Sequence, residues 1–406
     1  MTAQLYVARP TSLLDAVVTY PLGASHPVTT LTTDDLAAHR RRYGERLWDP
    51  RLIATIERLG LDGRGGGRFP VAAKWRAHLA AGGRGVVVAN GAESEPASAK
   101  DAALLQLRPH LVLDGLAATA EAVGAVTTVV WVHAGALASR AALARAVGER
   151  RRAGLAEPPV QLVVGPHRYL SGESSAIVRA LSGGPALPEF RRVPAASRGV
   201  GGRPTLIHNV ETLARIGLAT RTGAGPPTTL LTIATAGGRT VVEVPSTTPL
   251  WQVYDLRHVQ AVLVGGFGGT WMSAAAFGHE HAGSLALGLL LPLPDDECGI
   301  GRTAAIAEYL AASSAGQCGP CRFGLRAVAD LLADLVELRA RRRDTRRLQQ
   351  TLAEIAGRGA CHHPDGAVRT VASALRTFAV DVRAHLYGSS CRHAGAPGFF
   401  PVPEAP

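Results

Sequence analysis

The chain has 406 residues, of which 47% are hydrophobic and 18% charged, and its formal net charge is +11. A chain of this length can bury two or three cores, and this composition excludes a disordered or collagen-like protein. No apolar run is long enough to cross a bilayer and the N-terminus lacks a secretory signal pattern, so we expect a cytoplasmic protein without direct membrane insertion.

Nearly all of the positive charge comes from arginine, because lysine occurs only at Lys74 and Lys100. A basic surface favours either nucleic acid or an acidic protein as the partner. No nucleic-acid-binding module accompanies the charge, so we expect an acidic protein partner and no nucleic acid. The densest arginine run, 339–343 with Arg346 and Arg347, is typical of a solvated helix face.

A glycine-rich loop follows two short predicted helices, of which the first is expected to be capped by Thr33. In the segment 63–75, four of the first five residues are glycine. Glycine lets successive backbone N–H groups converge on one anion, and a helix that starts there adds its positive N-terminal dipole. Lys74 adds a positive charge. The loop therefore predicts a phosphate site, with an ordinary flexible turn as the alternative.

The next part of the chain alternates strands and helices, which is typical of an α/β sandwich. A β-branched run ends at Asn90, and Glu93 and Glu95 follow it. The carboxyl end of such a strand is where open α/β sheets bind ligands. Further predicted elements are strands at 127–133 and 160–164 and helices at 111–124, at 136–153, after Tyr169 and from His208.

Two changes of pattern divide the rest of the chain. Short strands and glycine-rich turns between about 228 and 277, with strands at 230–235, 240–244 and 261–265, predict a small β-rich module. Helical apolar spacing from Gly301 predicts a small helical bundle, and the Gly- and Pro-rich tail is expected to be flexible. The predicted divisions are an N-terminal segment 1–32, an α/β domain 33–224, a β module 225–296, a helical domain 297–387 and a tail 388–406.

All of the cysteines lie in the C-terminal part of the chain. An odd number in a cytosolic chain argues against a disulfide framework, and their clustering favours metal or redox chemistry. The five are Cys298, Cys318, Cys321, Cys361 and Cys391.

With these motifs in order, residues 33–386 resemble the NADH-binding flavoprotein (F-type) subunit of respiratory complex I and the related diaphorase subunits of hydrogenases and formate dehydrogenases. The loop 63–75 is similar to that family's Gly-Arg-Gly-Gly-Ala-Gly-Phe-Pro-Thr-Gly-x-Lys-Trp. The segment 90–101 is similar to Asn-Ala-Asp-Glu-Gly-Glu-Pro-Gly-x-x-Lys-Asp. The remaining matches are 172–173 with Gly-Glu-Glu-Thr-Ala, 208–214 with Asn-Asn-Val-Glu-Thr-Leu-Ala, and 314–322 with Ser-Cys-Gly-x-Cys-x-Pro-Cys-Arg.

The resemblance implies a flavin mononucleotide (FMN) held by the glycine loop of an α/β sandwich. It also implies a ubiquitin-like, SLBB-type β module and a C-terminal helical bundle that carries an iron–sulfur site. Glu93 and Glu95 are implied as catalytic residues that orient the nicotinamide of NAD(P)H. The implied cofactor-binding residues are Gly63, Gly65, Gly66, Phe69, Lys74, Asn90, Glu93, Tyr169, Gly172, Glu173, Asn209 and Thr212.

The sequence departs from the family pattern near the flavin and nicotinamide. Arg68 replaces a glycine, Ala92 an aspartate and His208 an asparagine. Ala77 stands where the family has an aromatic residue, and 191–194 lacks the phenylalanine of Lys-Pro-Pro-Phe-Pro. The loss of two stacking rings lowers the expected dinucleotide affinity about tenfold. A protein electron donor is therefore the alternative to NAD(P)H.

The cluster motif also departs from the pattern. A cubane takes four thiolates, but Ala315 replaces the first cysteine of the loop, which leaves Cys318, Cys321 and Cys361 as metal ligands. Three outcomes stay open: a 4Fe-4S cluster with a non-cysteine or unidentified fourth ligand, a 3Fe-4S cluster, or no cluster. The candidates for a fourth ligand are Cys298, His362, His363 and Cys391.

The resemblance implies an oxidoreductase that passes electrons from NAD(P)H through FMN and an iron–sulfur cluster. The expected acceptor is an acidic ferredoxin-like protein, a quinone-reductase partner or another subunit of a redox complex, either in the cytoplasm or at the periphery of a membrane complex. The alternative function is that of an electron-relay or scaffold subunit that has lost nicotinamide binding.

Overall fold

The computed structural model describes residues 12–29, 32–225, 227–389 and 398–404. None of the helices in these ranges has the length and apolar character needed to span a bilayer. The strands are β1 (Val18–Pro21), β2 (Val86–Asn90), β3 (Thr127–His133), β4 (Val160–Gly165), β5 (Thr205–Asn209), β6 (Thr228–Thr235), β7 (Gly238–Pro245), β8 (Val259–Val264), β9 (Thr270–Ser273) and β10 (Leu289–Pro294). The helices are α1 (Leu36–Tyr43), α2 (Leu52–Arg58), α3 (Val71–Ala80), α4 (Lys100–Leu107), α5 (Pro109–Val123), α6 (Leu137–Arg152), α7 (Ser174–Leu181), α8 (Val210–Thr222), α9 (Ala274–Gly278), α10 (Gly299–Ala312), α11 (Arg326–Val336), α12 (Arg342–Ile355), α13 (His363–Thr377) and α14 (Ala379–Leu386).

A four-stranded parallel sheet in the order β4-β3-β2-β5 forms the centre of the α/β part. Its central strands are buried β-branched runs, as expected for a parallel sheet covered on both faces. Val87 and Ala89 lie in one core with residues of α5 and α8, while Val86 and Val88 lie in another with residues of α7. The predicted α/β architecture is therefore found.

Two expectations for this part need correction. His208 and Asn209, expected at the start of a helix, belong to strand β5, which pairs with β2, and the helix begins at Val210. Helix α1 is capped by Asp35, whose carboxylate accepts the amide of Ala38 (2.7 Å), and not by Thr33. The pairing of β5 places Asn209 directly opposite Asn90 at the carboxyl ends of the strands.

A second sheet has six strands in the order β1-β7-β6-β10-β8-β9. The sequence pattern predicts three of these strands and misses β1, β9 and β10. Strand β10 pairs parallel to β6 and antiparallel to β8. Strand β10 is a short, buried apolar run that contains two prolines. From the sequence alone, such a run cannot be assigned to a strand or to a helix. Strand β1 comes from the N-terminal segment and pairs with β7, so that segment is part of this sheet.

Five helices, α10–α14, form the C-terminal bundle. Side chains of α10, α11 and α13 share one hydrophobic core with β8 and β10, so the bundle and the sheet are packed together. The end of the chain also belongs to this core, because Phe399 and Phe400 are 1% and 5% exposed. The Phe399 ring lies 5.7 Å from that of Trp271. The expectation of a flexible tail is thus wrong for these residues, whose rings fill the core.

Candidate functional site

The glycine loop connects α2 to α3 at the carboxyl edge of the parallel sheet. The Gly63 amide donates to the Phe69 carbonyl (3.0 Å), and the Arg64 amide donates to Thr212 Oγ1 (2.9 Å). Gly66 has φ +94°, which favours glycine. Within the described chain, the amides at 65–67 have no hydrogen-bond acceptor. The loop therefore presents unused N–H donors to a ligand.

Lys74 lies at the end of the first turn of α3. Its ammonium group is 5.8 Å from the centroid of the Phe69 ring, and burial lowers its pKa. No carboxylate of the described residues forms an ion pair with it. A partly buried cation beside free amides fits a phosphate group, because such a group supplies the missing charge and acceptors.

His208 lies beside this cation, where the family has asparagine. The Trp75 indole N–H donates to His208 Nε2 (2.9 Å), so the neutral ring carries its proton on Nδ1. Burial, together with the charge of Lys74, lowers the pKa of His208 to about 3. The imidazole is therefore uncharged and fixes Trp75 without adding to the positive charge.

Asn90 and Gly172 are brought together beside the loop. Asn90 Nδ2 donates to the Gly172 carbonyl (2.8 Å). A Cβ atom at Gly172 would lie 2.7 Å from the Ala92 carbonyl oxygen, so only glycine allows this approach. Gly65 of the glycine loop lies next to Asn209, since a Cβ atom at Gly65 would lie 3.5 Å from the Cβ atom of Asn209. The predicted cofactor residues thus converge at one edge of the sheet.

A buried charge network lies under the glycine loop. Glu211 is fully buried and accepts from Arg64 Nε (3.1 Å) and from Arg215, while Lys100 Nζ lies 3.1 Å from its second oxygen. Burial opposes ionisation, but the three cations outweigh it and lower the Glu211 pKa to about 2. Lys100 also donates to Asn209 Oδ1 (3.1 Å). The network fixes the loop to α8.

Sequence reasoning assigns no role to this network. Lys100 lies in the matched segment 90–101 and Glu211 in the matched segment 208–214. The signal that could have indicated the network is the presence of these charged residues at the starts of otherwise apolar helices. Asn209 is one of the predicted cofactor residues. Its side-chain Nδ2 donates to the Asp101 carboxylate (2.6 Å), and its side-chain Oδ1 accepts from the backbone amide of Glu211 (3.0 Å). Asn209 therefore caps α8.

Two of the predicted glutamates cap helices. Glu93 accepts from the amides of Asp101 (3.0 Å) and Ala102 (2.8 Å) at the start of α4. Glu173 accepts from the amides of Ser175 (2.8 Å) and Ala176 (3.1 Å) at the start of α7. These caps satisfy N–H groups that would otherwise have no partner. Both carboxylates thereby hold the backbone around the site.

Glu95 is in a different environment. It accepts hydrogen bonds from the Tyr169 hydroxyl (3.0 Å) and the Phe267 amide (3.1 Å). Burial raises the pKa of Glu95 to about 7, although both donors act to lower it. Its Oε1 atom is buried, and no hydrogen-bond partner for it is found among the described residues. A carboxyl group that titrates near neutral pH is suited to proton transfer.

Glu93, Glu95 and Tyr169 line one cavity of about 470 Å³. Two further lining residues, His133 and His167, stack with their ring centroids 4.4 Å apart. Burial and the neighbouring ring lower the pKa of His133 to about 4. Sequence reasoning misses the histidine pair, because no motif surrounds it and its members belong to two separate parts of the chain: His133 ends β3, and His167 follows β4.

Two of the residues that depart from the family pattern, Arg68 and Arg191, are held by contacts within the chain. Arg68 has φ +44° and donates to the Ser284 carbonyl (2.9 Å), so its side chain is held by the six-stranded sheet region. Arg191 pairs with Glu189 (2.8 Å). The Phe69 ring is 52% exposed and remains available to stack on a ligand.

The three cysteines of the cluster motif lie close to one another. Cys321 lies in a π-helical turn, Pro320–Leu325, and the nearby Cys318 thiol adds to the effect of burial in raising its pKa. Burial raises the pKa of both Cys321 and Cys361, and each also experiences the charge of Cys318. Burial acts in the same direction on Cys318, but the amides of Ala360 and Cys321 outweigh it and lower its pKa.

This arrangement suits a cluster better than a single ion. Among the described residues, no group of three or more His, Cys, Asp or Glu side chains is placed to hold one metal ion. In an iron–sulfur cluster each thiolate binds a different iron, so the thiolates need not converge on one point. The residues present supply three of the four thiolates of a cubane.

The candidates for a fourth ligand differ in position. Cys298 caps α10, accepts from the Gly301 amide (3.2 Å) and contacts His385 Nε2 (3.4 Å). Helix α10 begins next to Cys298 and is about 21 Å long, and the cluster loop follows its far end. His363 Nε2 donates to the Leu310 carbonyl (2.8 Å), whereas the exposed His362 is adjacent to Cys361. Cys391 lies outside the described residues.

Two protein-family models match this chain. The Nuo51 FMN-binding domain matches residues 56–218, and the iron–sulfur binding region of NADH-ubiquinone oxidoreductase F matches residues 302–385. Together the two matches cover more than half of the chain.

Individual relatives are similar over most of the chain. The second F-type subunit of NADH-quinone oxidoreductase in Rhizobium meliloti is 27% identical over 87% of this chain and 93% of its own length. The NADP-reducing hydrogenase subunit HndC of Solidesulfovibrio fructosivorans is 25% identical over 84% and 77%. The crystal structure of an air-oxidized NAD⁺-reducing [NiFe]-hydrogenase matches with a TM-score of 0.74 and 25% identity over 87% of this chain. The chain spans 65% of that hydrogenase chain.

Proposed function

Because the chain belongs to the family of F-type flavoprotein subunits of NADH-quinone oxidoreductases and related hydrogenase diaphorases, we propose that it oxidises NAD(P)H with FMN and an iron–sulfur cluster. When bound, these groups divide a two-electron hydride transfer into single-electron steps. The residues of the chain bind the two groups, hold protons and exclude water.

The observation that carries this proposal is the combination of free amides at 65–67 with the partnerless ammonium group of Lys74 within the described chain. The amides and the cation hold the FMN phosphate, and the network around Glu211 keeps the loop in place. Asn90, Tyr169 and Gly172 surround the flavin ring. The loop itself is held by the bonds of the Gly63 amide to the Phe69 carbonyl and of the Arg64 amide to Thr212.

Glu95 and Glu93 have distinct parts in this proposal. Glu95 holds a proton near neutral pH beside Tyr169, at the cavity that receives the nicotinamide end of the substrate. Glu93 holds the start of α4 and lines the same cavity. Phe69 stacks on the dinucleotide, and Glu173 keeps α7 in register with the flavin pocket.

The cluster is bound by Cys318, Cys321 and Cys361, either as a 3Fe-4S cluster or as a 4Fe-4S cluster with a non-cysteine or unidentified fourth ligand. We further propose that the six-stranded sheet is an SLBB-type module. The acceptor is an acidic ferredoxin-like carrier, a quinone reductase or another subunit of a redox complex. The chain then works in the cytoplasm or at the periphery of such a complex.

A second function, that of a relay or scaffold subunit, has two observations in its favour. Ala77 lies on α3 where the family has an aromatic ring, and Ala315 removes one thiolate. Both changes weaken sites that a working dehydrogenase uses. Such a subunit keeps FMN and the docking surfaces but does not react with NAD(P)H.

The test is the ultraviolet-visible spectrum of anaerobically purified protein, with flavin, iron and sulfide content measured on the same sample. One FMN per chain that is bleached by NADH or NADPH supports the dehydrogenase. Bound FMN that is bleached by dithionite and by neither nucleotide supports the scaffold. Protein that takes up no FMN after reconstitution with an excess overturns both functions, because the glycine loop then holds no phosphate.

A further inference from the structure

A groove with a basic rim lies between the π-helical turn and α12. Its volume is about 610 Å³, and its apolar surface comes from Pro320, Phe323 and Ile355. Arg347 and Arg358 stand at its edge, and of the side chains that line it in the described part of the chain only Glu354 is acidic. We call this feature the basic groove.

The basic groove adjoins the cysteines of the cluster motif. Gly319 and Pro320, which line it, are the two residues between Cys318 and Cys321. Cys321 is 5% exposed and lies on the protein side of the turn. A molecule seated in the groove therefore rests on the segment of backbone that carries two of the three thiols.

The surface of the groove combines an exposed ring with uncompensated charge. The Phe323 side chain is 69% exposed, and the Arg322 guanidinium lies 5.6 Å from its centroid. Arg322, Arg347 and Arg358 are exposed, and within the described ranges none of them has a carboxylate partner. Other arginines of the same bundle, such as Arg326 and Arg339, are paired with carboxylates.

Such a patch has the composition of an interaction site. An exposed aromatic side chain rimmed by charges of one sign marks an interaction site, because the ring loses water on contact and the charges select a complementary partner. Weak, short-lived complexes of redox proteins use small interfaces of this kind. The charge of the rim requires an acidic partner.

We propose that the basic groove docks an acidic one-electron carrier protein, and this proposal rests on the function proposed above. One electron passes in each docking event, so two carriers are reduced for each NAD(P)H oxidised to NAD(P)⁺ and a proton. Arg347 and Arg358 steer the carrier, and Phe323 forms the apolar centre of the contact.

The experiment compares the holoprotein with a variant in which Arg347→Glu and Arg358→Glu are combined. The probe is an acidic plant-type [2Fe-2S] ferredoxin, and its affinity is measured by isothermal titration calorimetry at low and at moderate salt. We expect the variant to bind about tenfold or more weakly at low salt and to lose most of its salt dependence. The variant Phe323→Ala should weaken binding at both salt concentrations.

The matched control is Arg151→Glu combined with Arg152→Glu, the same change of charge at the exposed end of α6. It should bind the ferredoxin within about twofold of the parent protein, since steering depends on where the charge lies. Equal affinity of parent and groove variant, an equal loss in the control, or no binding by the parent would overturn the proposal.

A separate readout distinguishes the docking proposal from the proposed function. The rate of NADH oxidation with menadione, a neutral small acceptor, does not require a docked protein. If this rate is normal in the groove variant while ferredoxin binding is lost, the docking proposal is supported. If the parent has no menadione activity, the proposed function fails, and the calorimetry still decides whether the groove binds the ferredoxin.

Discussion

Lys74 is the side chain whose removal tests the phosphate site most directly. A hydrogen bond between charged groups contributes roughly 1.5–3 kcal/mol, so Lys74→Ala should weaken FMN binding about 10- to 100-fold. Riboflavin has the same ring without the phosphate and should bind parent and variant equally well. Both affinities can be measured by quenching of flavin fluorescence on titration of the apoprotein.

The variant Lys74→Arg keeps the positive charge and should retain part of the FMN affinity. Full FMN occupancy in Lys74→Ala would contradict the assignment of the loop. An equal loss of riboflavin binding would show that Lys74 supports the pocket as a whole and does not act on the phosphate.

The carboxyl group of Glu95 predicts a dependence of stability on pH. Its pKa in the folded protein, about 7, lies above the ordinary value of 4.5, so the folded state favours the protonated form. The stability that this provides is complete below about pH 4.5 and is lost as the pH rises through 7. Glu95→Gln should therefore become more stable relative to the parent between pH 5 and pH 8, by up to about 3 kcal/mol.

Thermal unfolding of parent and variant at the two pH values measures this difference. Glu57→Gln serves as the control, because Glu57 is exposed and paired with Arg76 at the surface. A difference between Glu95→Gln and the parent that does not change with pH would mean that Glu95 is ionised throughout.

Ala315 marks the place where the missing thiolate belongs. Ala315→Cys should change the electron paramagnetic resonance spectrum of the reduced protein towards that of a four-cysteine cubane, because each iron of such a cluster takes one thiolate. Ala315→Ser tests whether the volume of the new side chain alone has an effect. An unchanged spectrum in the cysteine variant would mean that another ligand already completes the cluster or that no cluster is assembled.

At the scale of the elements, the ion pairs that connect the glycine loop to α8 are expected to stabilise the fold around the site. Glu211→Gln removes the negative charge shared by Arg64, Lys100 and Arg215 and leaves three buried cations without it. Breaking a buried pair in this way costs about 3–5 kcal/mol. The thermal midpoint should fall strongly, and FMN affinity should fall with it.

Glu57→Gln is again the matched control, since an exposed ion pair contributes at most about 1 kcal/mol. An effect of Glu211→Gln no larger than that of the control would contradict the importance of the network. Added FMN should restore part of the lost stability if the loop is the segment that loosens.

The elements differ in how far the sequence predicts them, for physical reasons. β2, β3 and β4 are predictable because their β-branched runs are long and end in glycine or polar residues. β5 runs directly into α8 without a turn, so the sequence pattern places His208 and Asn209 at the start of the helix. β1 and β9 have four residues each, which is too short for a periodic signal.

The site is predictable where the residues of a motif are close in sequence. The glycine loop, Asn90, Gly172 and the cysteine turn are found in this way. The bond between Arg64 and Glu211 joins residues 147 positions apart, and the contact of Glu95 with Tyr169 joins residues 74 apart. Only the folded chain brings such partners together, so the raised pKa of Glu95 cannot be inferred from the sequence.

At the scale of the whole molecule, the described ends of the chain meet on the six-stranded sheet. β1 pairs with one side of it, and Phe399 forms a bridge with Thr235 of β6. Phe399→Ala should destabilise the protein by about 3–5 kcal/mol, because it leaves a cavity beside Trp271. Phe190→Ala is the control, since that ring is 68% exposed and should change the thermal midpoint little. A flexible tail would make the two variants equal.

The position of Phe399 also determines when the protein can be completed during translation. The α/β part, through residue 225, leaves the ribosome before the cysteines have been made, but Leu230 and Val241 of the second sheet belong to its hydrophobic core. The second sheet is finished only when residue 400 emerges, because its last bridge is made there. A nascent chain therefore completes the core of its α/β part only once the second sheet begins to form, and Glu95 gains its hydrogen bond from the Phe267 amide later still.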